Sequence, residues 1–196
     1  MANPNLPNPQ LAETARLGLR KLARLEDSLL DLAFEGRVLD IVAVANGHGT
    51  ITSLVVPAAR IPSTNVPDLS LAEWIRQALD SALGDVRRVS NDAVEANRPS
   101  LPNTGGPKPP SIADKAQGYL HDPYTGTSAG GQIAVTVTLD WRPSSVTIAG
   151  SFYTSPDRLQ LGERVREAAN VALATARHEF DCAAAGLALV LIQEGL

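Results

Sequence analysis

The chain has very little cysteine. Cys182 is the one cysteine among 196 residues, which excludes an internal disulfide and a metal cluster built on cysteine ligands. Its neighbours Ala183 to Ala185 are small and apolar, so we expect a packed, unreactive thiol.

Lysine, aromatic residues and long apolar runs are also scarce. Lysine occurs only at Lys21, Lys108 and Lys115, and the net charge of −4 argues against a generally basic nucleic-acid binder, although a local basic face is compatible with it. The longest apolar run, Ala183–Ile192, is shorter than a membrane span, and the start "MANPNLPNPQ" lacks the features of a signal peptide. We therefore expect a cytoplasmic protein without a membrane segment.

Motifs for catalysis or cofactor binding are missing as well. Ser53 and Ser145 are not in a G-x-S-x-G elbow, and no dinucleotide or phosphate-binding glycine pattern occurs. His48, His121 and His178 are too few and too scattered for a histidine metal site. The sequence predicts no catalytic residue, no metal, no cofactor and no enzymatic activity.

The first half of the chain reads as one folding unit, 11–96, behind a disordered opening, 1–10. A leucine-rich seam predicts a helix from Leu11 to Ala33, and β-branched runs on either side of "NGHG" predict a hairpin. Because a strand follows the glycines, we interpret "NGHG" as a tight, positive-φ turn rather than a phosphate loop. A helix capped by Asp68 or Ser70 should run to about Arg88.

The second half follows a proline-rich linker, 97–110, and repeats this order over 111–196. "QIAVTVTLD" alternates as a half-buried strand, "SSVTIAGSFY" is its expected partner, and a helix should run from about Asp157 to Glu179 or beyond. Ser111–Leu120 allows at most a short leading helix.

The two halves align with each other. A shift of 92 residues superposes the hairpin strands, and a shift of 90 gives six identities between the helices that begin near Asp68 and Asp157. A diverged tandem duplication explains both the identities and the shared order of elements. Chance similarity between two amphipathic helices is the alternative, and it does not predict that shared order.

The seam helix, "NGHG", "TITSLVVP" and the helix closing near Arg88 resemble the YbaB/EbfC family of bacterial nucleoid-associated proteins. The resemblance covers Leu11 to Val89 and, more weakly, Gly130 to Ala183. It implies an α+β fold of two tandem helix–antiparallel-sheet–helix units, the second with a reduced leading helix. It also implies a nucleoid-associated dimer that binds double-stranded DNA with low sequence specificity. Such a dimer could be a homodimer or an internal pseudo-dimer. Strand Ile41–Ala45 is apolar on both faces and should be covered on both.

Two binding functions remain open. The first is DNA binding by a basic face, and the second is a protein-binding scaffold or secretion-associated accessory that uses the duplicated fold. Candidate DNA contacts are Arg16, Arg20, Lys21, Arg24, Arg60, Arg87 and Arg88. The candidate dimer or packing seam is Leu22, Leu25, Leu29 and Leu32.

Overall fold

The computed structural model describes residues 27, 29, 31–96 and 122–193, in a mixed α+β fold. The first half contains β1 (Ala33–Val38), β2 (Ile41–Asn46), β3 (Ile51–Val55), a 3₁₀ turn (Ala58–Arg60) and α1 (Leu69–Ala96). The second half contains β4 (Pro123–Thr127), β5 (Ile133–Thr138), β6 (Pro143–Ile148), the single turn α2 (Gly150–Tyr153), a 3₁₀ turn (Pro156–Gln160) and α3 (Leu161–Gln193). The segments 1–10 and 97–110, most of the seam helix and the short leading helix of the second unit lie outside the described residues.

Each half forms one three-stranded antiparallel sheet, and the order of strands is the same in both. The first sheet is ordered β1-β2-β3 and the second β4-β5-β6. The ladder between the last two strands shifts register at Val44/Ala45 in the first sheet and at Thr136/Val137 in the second. These two irregularities are 92 residues apart, so the repeat found in the sequence extends to a detail of strand pairing.

The predicted hairpin at "NGHG" is confirmed, but its turn differs from the expected one. Asn46 and Gly47 have ordinary negative φ, and Gly49 takes the positive φ of 70°. The Asn46 side chain stabilises this turn, because its Oδ1 accepts hydrogen bonds from the backbone N–H groups of His48 and Thr50, at 3.1 and 3.0 Å. The reason is local side-chain bonding, which favours an Asx turn over a two-residue primed turn.

The second hairpin copies this geometry with different residues. The backbone bonds Gly49 N–H to Asn46 O and Trp141 N–H to Thr138 O occupy equivalent places. Trp141 therefore takes the positive-φ position, with φ of 61°, which is uncommon for a bulky side chain. Its surroundings must offset this strain.

Both long helices begin near their predicted starts, and α1 extends beyond its predicted end, whereas the extension of α3 past Glu179 agrees with the prediction. Asp68, rather than Ser70, caps α1: its Oδ1 accepts from the N–H groups of Ser70 and Leu71, each at 3.0 Å. Helix α1 continues past Arg88 to Ala96, and α3 continues past Glu179 to Gln193.

Each helix packs on both sheets, which joins the halves around one core. Helix α1 contacts β1 and β2 of its own half and β6 of the other, and α3 contacts β4 and β5 together with β3. The buried apolar residues of both halves form a single cluster. The central strands contribute fully buried side chains on one face, as their alternation predicts: Ile41, Ala43, Ala45, Ile133, Val135 and Val137.

Strands β1 and β4 each contain a glycine that lets the backbone of the covering helix, α1 or α3, approach closely. A Cβ on Gly36 would lie 2.1 Å from the carbonyl oxygen of Ala78 and 2.4 Å from the nitrogen of Ala82. A Cβ on Gly126 would lie 2.2 Å from the corresponding oxygen of Ala168. Because the neighbours are helix backbone, neither position has room for a side chain.

We predict that Gly36→Ala and Gly126→Ala each lower the free energy of unfolding by about 3 kcal/mol, because the helix must shift away from the strand. The matched control is Gly84→Ala in α1, where the nearest atom is Arg87 Nη2 at 3.4 Å. The control should be neutral or stabilise by about 0.5 kcal/mol. Urea unfolding measures all three variants, and parent-like stability of Gly36→Ala would contradict the close approach.

Candidate interaction surfaces

The edge strand β3 of the first sheet, which faces the other half, is hydrogen-bonded by a side chain of that half. Asn170 on α3 accepts a hydrogen bond from Ile51 N–H at 2.8 Å and donates one to Ile51 O at 2.9 Å. Its carboxamide thus pairs with the edge of β3 as a neighbouring strand would. An edge strand with its hydrogen-bonding groups satisfied does not recruit another strand.

The equivalent edge of the second sheet is closed differently. Pro143 begins β6 and has no N–H group, so only its carbonyl needs a partner. Arg76 on α1 donates to that carbonyl at 3.2 Å while its other nitrogens bond Glu73 at 2.8 and 2.7 Å.

The bond from Arg76, with a weaker one from Gln77, lowers the pKa of Glu73 to about 2. Since the folded pKa is depressed, the pair contributes at neutral pH and is lost only as the pH falls towards 2.

The hairpin turns are tied to the opposite helices by two arginines. Arg87 donates to the carbonyl oxygen of Trp141 at 2.8 Å, and Arg177 donates to the carbonyl oxygen of His48. The Arg177 guanidinium also lies 5.1 Å from the centroid of the Trp141 ring. The same ring packs on Gly49, where a Cβ would lie only 2.9 Å from it. These contacts hold Trp141 in its strained conformation.

The described candidates for DNA contact are all ion-paired. Arg60 bonds Asp40 at 3.0 Å and stacks 5.6 Å from the Trp74 ring. Arg87 bonds Asp80 and Arg88 bonds Asp85, each at 3.1 Å. Arg16, Arg20, Lys21 and Arg24 lie outside the described residues, so the predicted basic face stays a prediction.

The described part of the chain is acidic. It contains ten arginines and no lysine against seventeen aspartates and glutamates. Eight of these arginines pair with a carboxylate, and Arg158 and Arg177 are the exceptions within the described ranges. An acidic surface with paired arginines repels a phosphate backbone.

Of the predicted leucine seam, two members are described. Leu29 is helical and lies against Gly47, and Leu32 is 43% exposed. Leu22 and Leu25 lie outside the described residues. Cys182 was expected to be packed, but it is exposed, because every residue of α3 from His178 to Cys182 is exposed. Its Sγ lies 3.8 Å from His178 Nε2.

The outer faces of the two sheets differ in chemistry at equivalent positions. Val42, Val44 and Val55 lie side by side on the outer face of the first sheet, next to the ion pair of Glu35 with Arg37. The second sheet has polar or smaller residues at the matching places: Ala134, Thr136, Thr147, Thr125 and Thr127. The two sheets share their strand order and differ in surface chemistry.

The cover expected on both sides of strand β2 is found on one side only among the described elements. Helices α1 and α3 pack on the inner faces. Val42 and Val44 are half-buried by their neighbours on the sheet, and Val55 is 54% exposed. The valine face is therefore open to a partner from outside the described residues.

No known family model, curated protein or solved structure matches the chain. Among the described residues, the helices are too short or too polar to cross a membrane, and no group of three or more metal-binding side chains comes together. The resemblance to the YbaB/EbfC family stays a prediction.

We predict that Asn170→Ala lowers the free energy of unfolding by roughly 2 kcal/mol, because it leaves Ile51 N–H and C=O without partners. Ile51 is fully buried, so its unpaired backbone groups are costly. A small cleft of about 230 Å³ beside Asn170 admits water, which reduces the loss of stability. Asn91→Ala, at an exposed helical site, is the control and should change stability by less than about 0.5 kcal/mol. Equal effects of both changes in urea unfolding would refute the edge-closing role.

Proposed function

We propose that the protein is a non-enzymatic protein-binding scaffold, which contacts its partner through the outer face of the first sheet. The observation that carries this proposal is the divergence between the copies: valines stand on one outer face where alanine and threonines stand on the other. Surface valines grouped beside a charged pair are typical of a contact centre with a polar rim.

The partner should be apolar at its centre and carry both charges at its edge. Glu35 and Arg37 are 53% and 62% exposed beside the valines, so each can exchange its intramolecular bond for one across an interface. The acidic surroundings favour a neutral or basic partner surface.

We expect a photo-crosslinker at position 44 to trap a partner in the producing cells, whereas one at position 136, its equivalent on the second sheet, traps none. Val42→Thr/Val55→Thr should abolish the adduct, because it gives the first face the polar chemistry of the second while keeping β-branched side chains. Val171→Thr, at a valine 47% exposed on α3, is the matched control and should leave the adduct intact. Equal adducts at 44 and 136 would contradict the proposal.

DNA binding of low sequence specificity, with nucleoid association, is the second candidate. It is favoured by the separation of charge along the chain: four basic residues precede position 27, whereas the described part is acidic. DNA would then be contacted by Arg16, Arg20, Lys21 and Arg24 and not by Arg60, Arg87 or Arg88.

A mobility-shift titration at two salt concentrations tests this second candidate. Four phosphate contacts predict a slope of log K against log salt of about −3.6. Arg16→Ala/Arg20→Ala/Arg24→Ala should remove binding, and Arg60→Ala/Arg88→Ala, at paired arginines, should not. Absence of binding by the full chain at low salt would eliminate the DNA hypothesis and leave the scaffold proposal standing.

A further inference from the structure

A cleft of about 840 Å³ lies where the two halves meet, between the hairpin turns and the C-terminal parts of α1 and α3. Its lining includes the apolar side chains of Leu139, Trp141 and Phe180. Phe180 is 50% exposed there, an unusual environment for a phenylalanine with a neighbouring apolar wall. The cleft thus exposes apolar surface to solvent.

The chain itself runs into this cleft from the N-terminal side. Leu29 lines the cleft, and its carbonyl oxygen lies only 1.9 Å from where a Cβ on Gly47 would be. Gly47 is therefore a glycine because the backbone at Leu29 crosses it. Both Asp27 and Leu29 are helical, so the described part of the chain begins with helical residues beside the cleft.

The position equivalent to Gly47 in the second half carries a side chain. Leu139 is 92 residues after Gly47, is 7% exposed and lines the same cleft. The first turn thus has a glycine, against which Leu29 packs, where the second turn has a leucine. This difference matches the sequence, in which only the first half has a long leucine seam.

One polar atom in the cleft wall lacks a partner. Among the described residues, His48 Nε2 is buried and makes no hydrogen bond. Buried polar atoms are nearly always paired, so this atom is an exception in the cleft wall, and leucine side chains would not satisfy it.

We propose that residues 11–26 of the same chain occupy this cleft, with Leu25 and Leu22 packed against Trp141 and Phe180. The predicted helical seam supplies leucines one and two turns before Leu29, on the same side of the helix. This inference concerns a surface other than the valine face, so it does not depend on the proposed function.

Docking through the leucines would leave the arginines outside. At 100° per residue, Arg20 and Arg24 lie about 160° from Leu22 around a helix. The stripe of Arg16, Arg20 and Arg24 then faces solvent while the seam faces the cleft.

The two tryptophans allow a test in the full-length chain. Trp141 lines the cleft and Trp74 lies on α1 away from it, so Trp74→Phe leaves one reporter in the cleft. In that background, Leu25→Asp should red-shift the emission of Trp141 and raise its acrylamide quenching constant about twofold, because the indole gains contact with water. Leu17→Asp, the same change at a leucine outside the seam and about 80° from Leu25 and 140° from Leu22 around the predicted helix, should leave both unchanged.

A second reporter keeps the test independent of misfolding. In a Trp141→Phe background, the emission of Trp74 should not respond to Leu25→Asp, which shows that the core is intact. The proposal is overturned if Leu25→Asp leaves Trp141 unaffected, or if Leu17→Asp exposes it equally. Protection of Trp141 that depends on protein concentration would also overturn it, because the occupant would then be a second copy.

Discussion

The structure depends on the sharing of each long helix between two sheets. Helix α3 covers β4 and β5 and also lies along the inner edge of β3, where Asn170 bonds both backbone groups of Ile51. Helix α1 makes the reciprocal contact with β6 through Arg76. A three-stranded sheet with one helix buries little apolar area alone, so closing both inner edges and burying one core requires both halves.

Two similar sheets in one chain can carry different residues at equivalent positions. In a homodimer one substitution changes both subunits, but here each half has its own residue at each equivalent position. Asn170 closes one edge and Pro143 with Arg76 the other. Gly49 takes the positive φ in one turn, and in the other Trp141 takes it against the guanidinium of Arg177. The outer faces differ in the same way, which is why we place the interaction surface on one sheet.

The sequence predicted the regular elements well and the irregular ones poorly. Alternation along Ile133–Thr138 and the cap at Asp68 determine their structures locally, so both were foreseen. Strand β4 was missed because "PYTGT" has little apolar content and its place depends on Gly126 meeting the α3 backbone. A shift of 90 residues from Gly36 would have found it.

The environment of the candidate binding residues could not be read from spacing alone. Arg87 and Arg88 follow one another in a basic-looking run, yet they pair with Asp80 and Asp85, which precede them by a turn or two of the helix. The contact of Arg87 with Trp141 joins residues 54 positions apart and requires knowledge of the tertiary fold. The contrast between valines on one outer face and threonines on the other likewise requires the strand register, which shows which residues are neighbours on each face.

The shared core is tested most directly by unfolding the full chain with one tryptophan at a time. Trp74 lies in the first half, and Trp141 lies in the second, where it also contacts Gly49 and Arg87 of the first. Leu79→Ala removes a fully buried side chain from α1 and should cost about 3 kcal/mol. A single core predicts that the urea midpoints reported by Trp74 and Trp141 coincide and shift together. A shift at Trp74 with none at Trp141 would show two independent units and contradict the account.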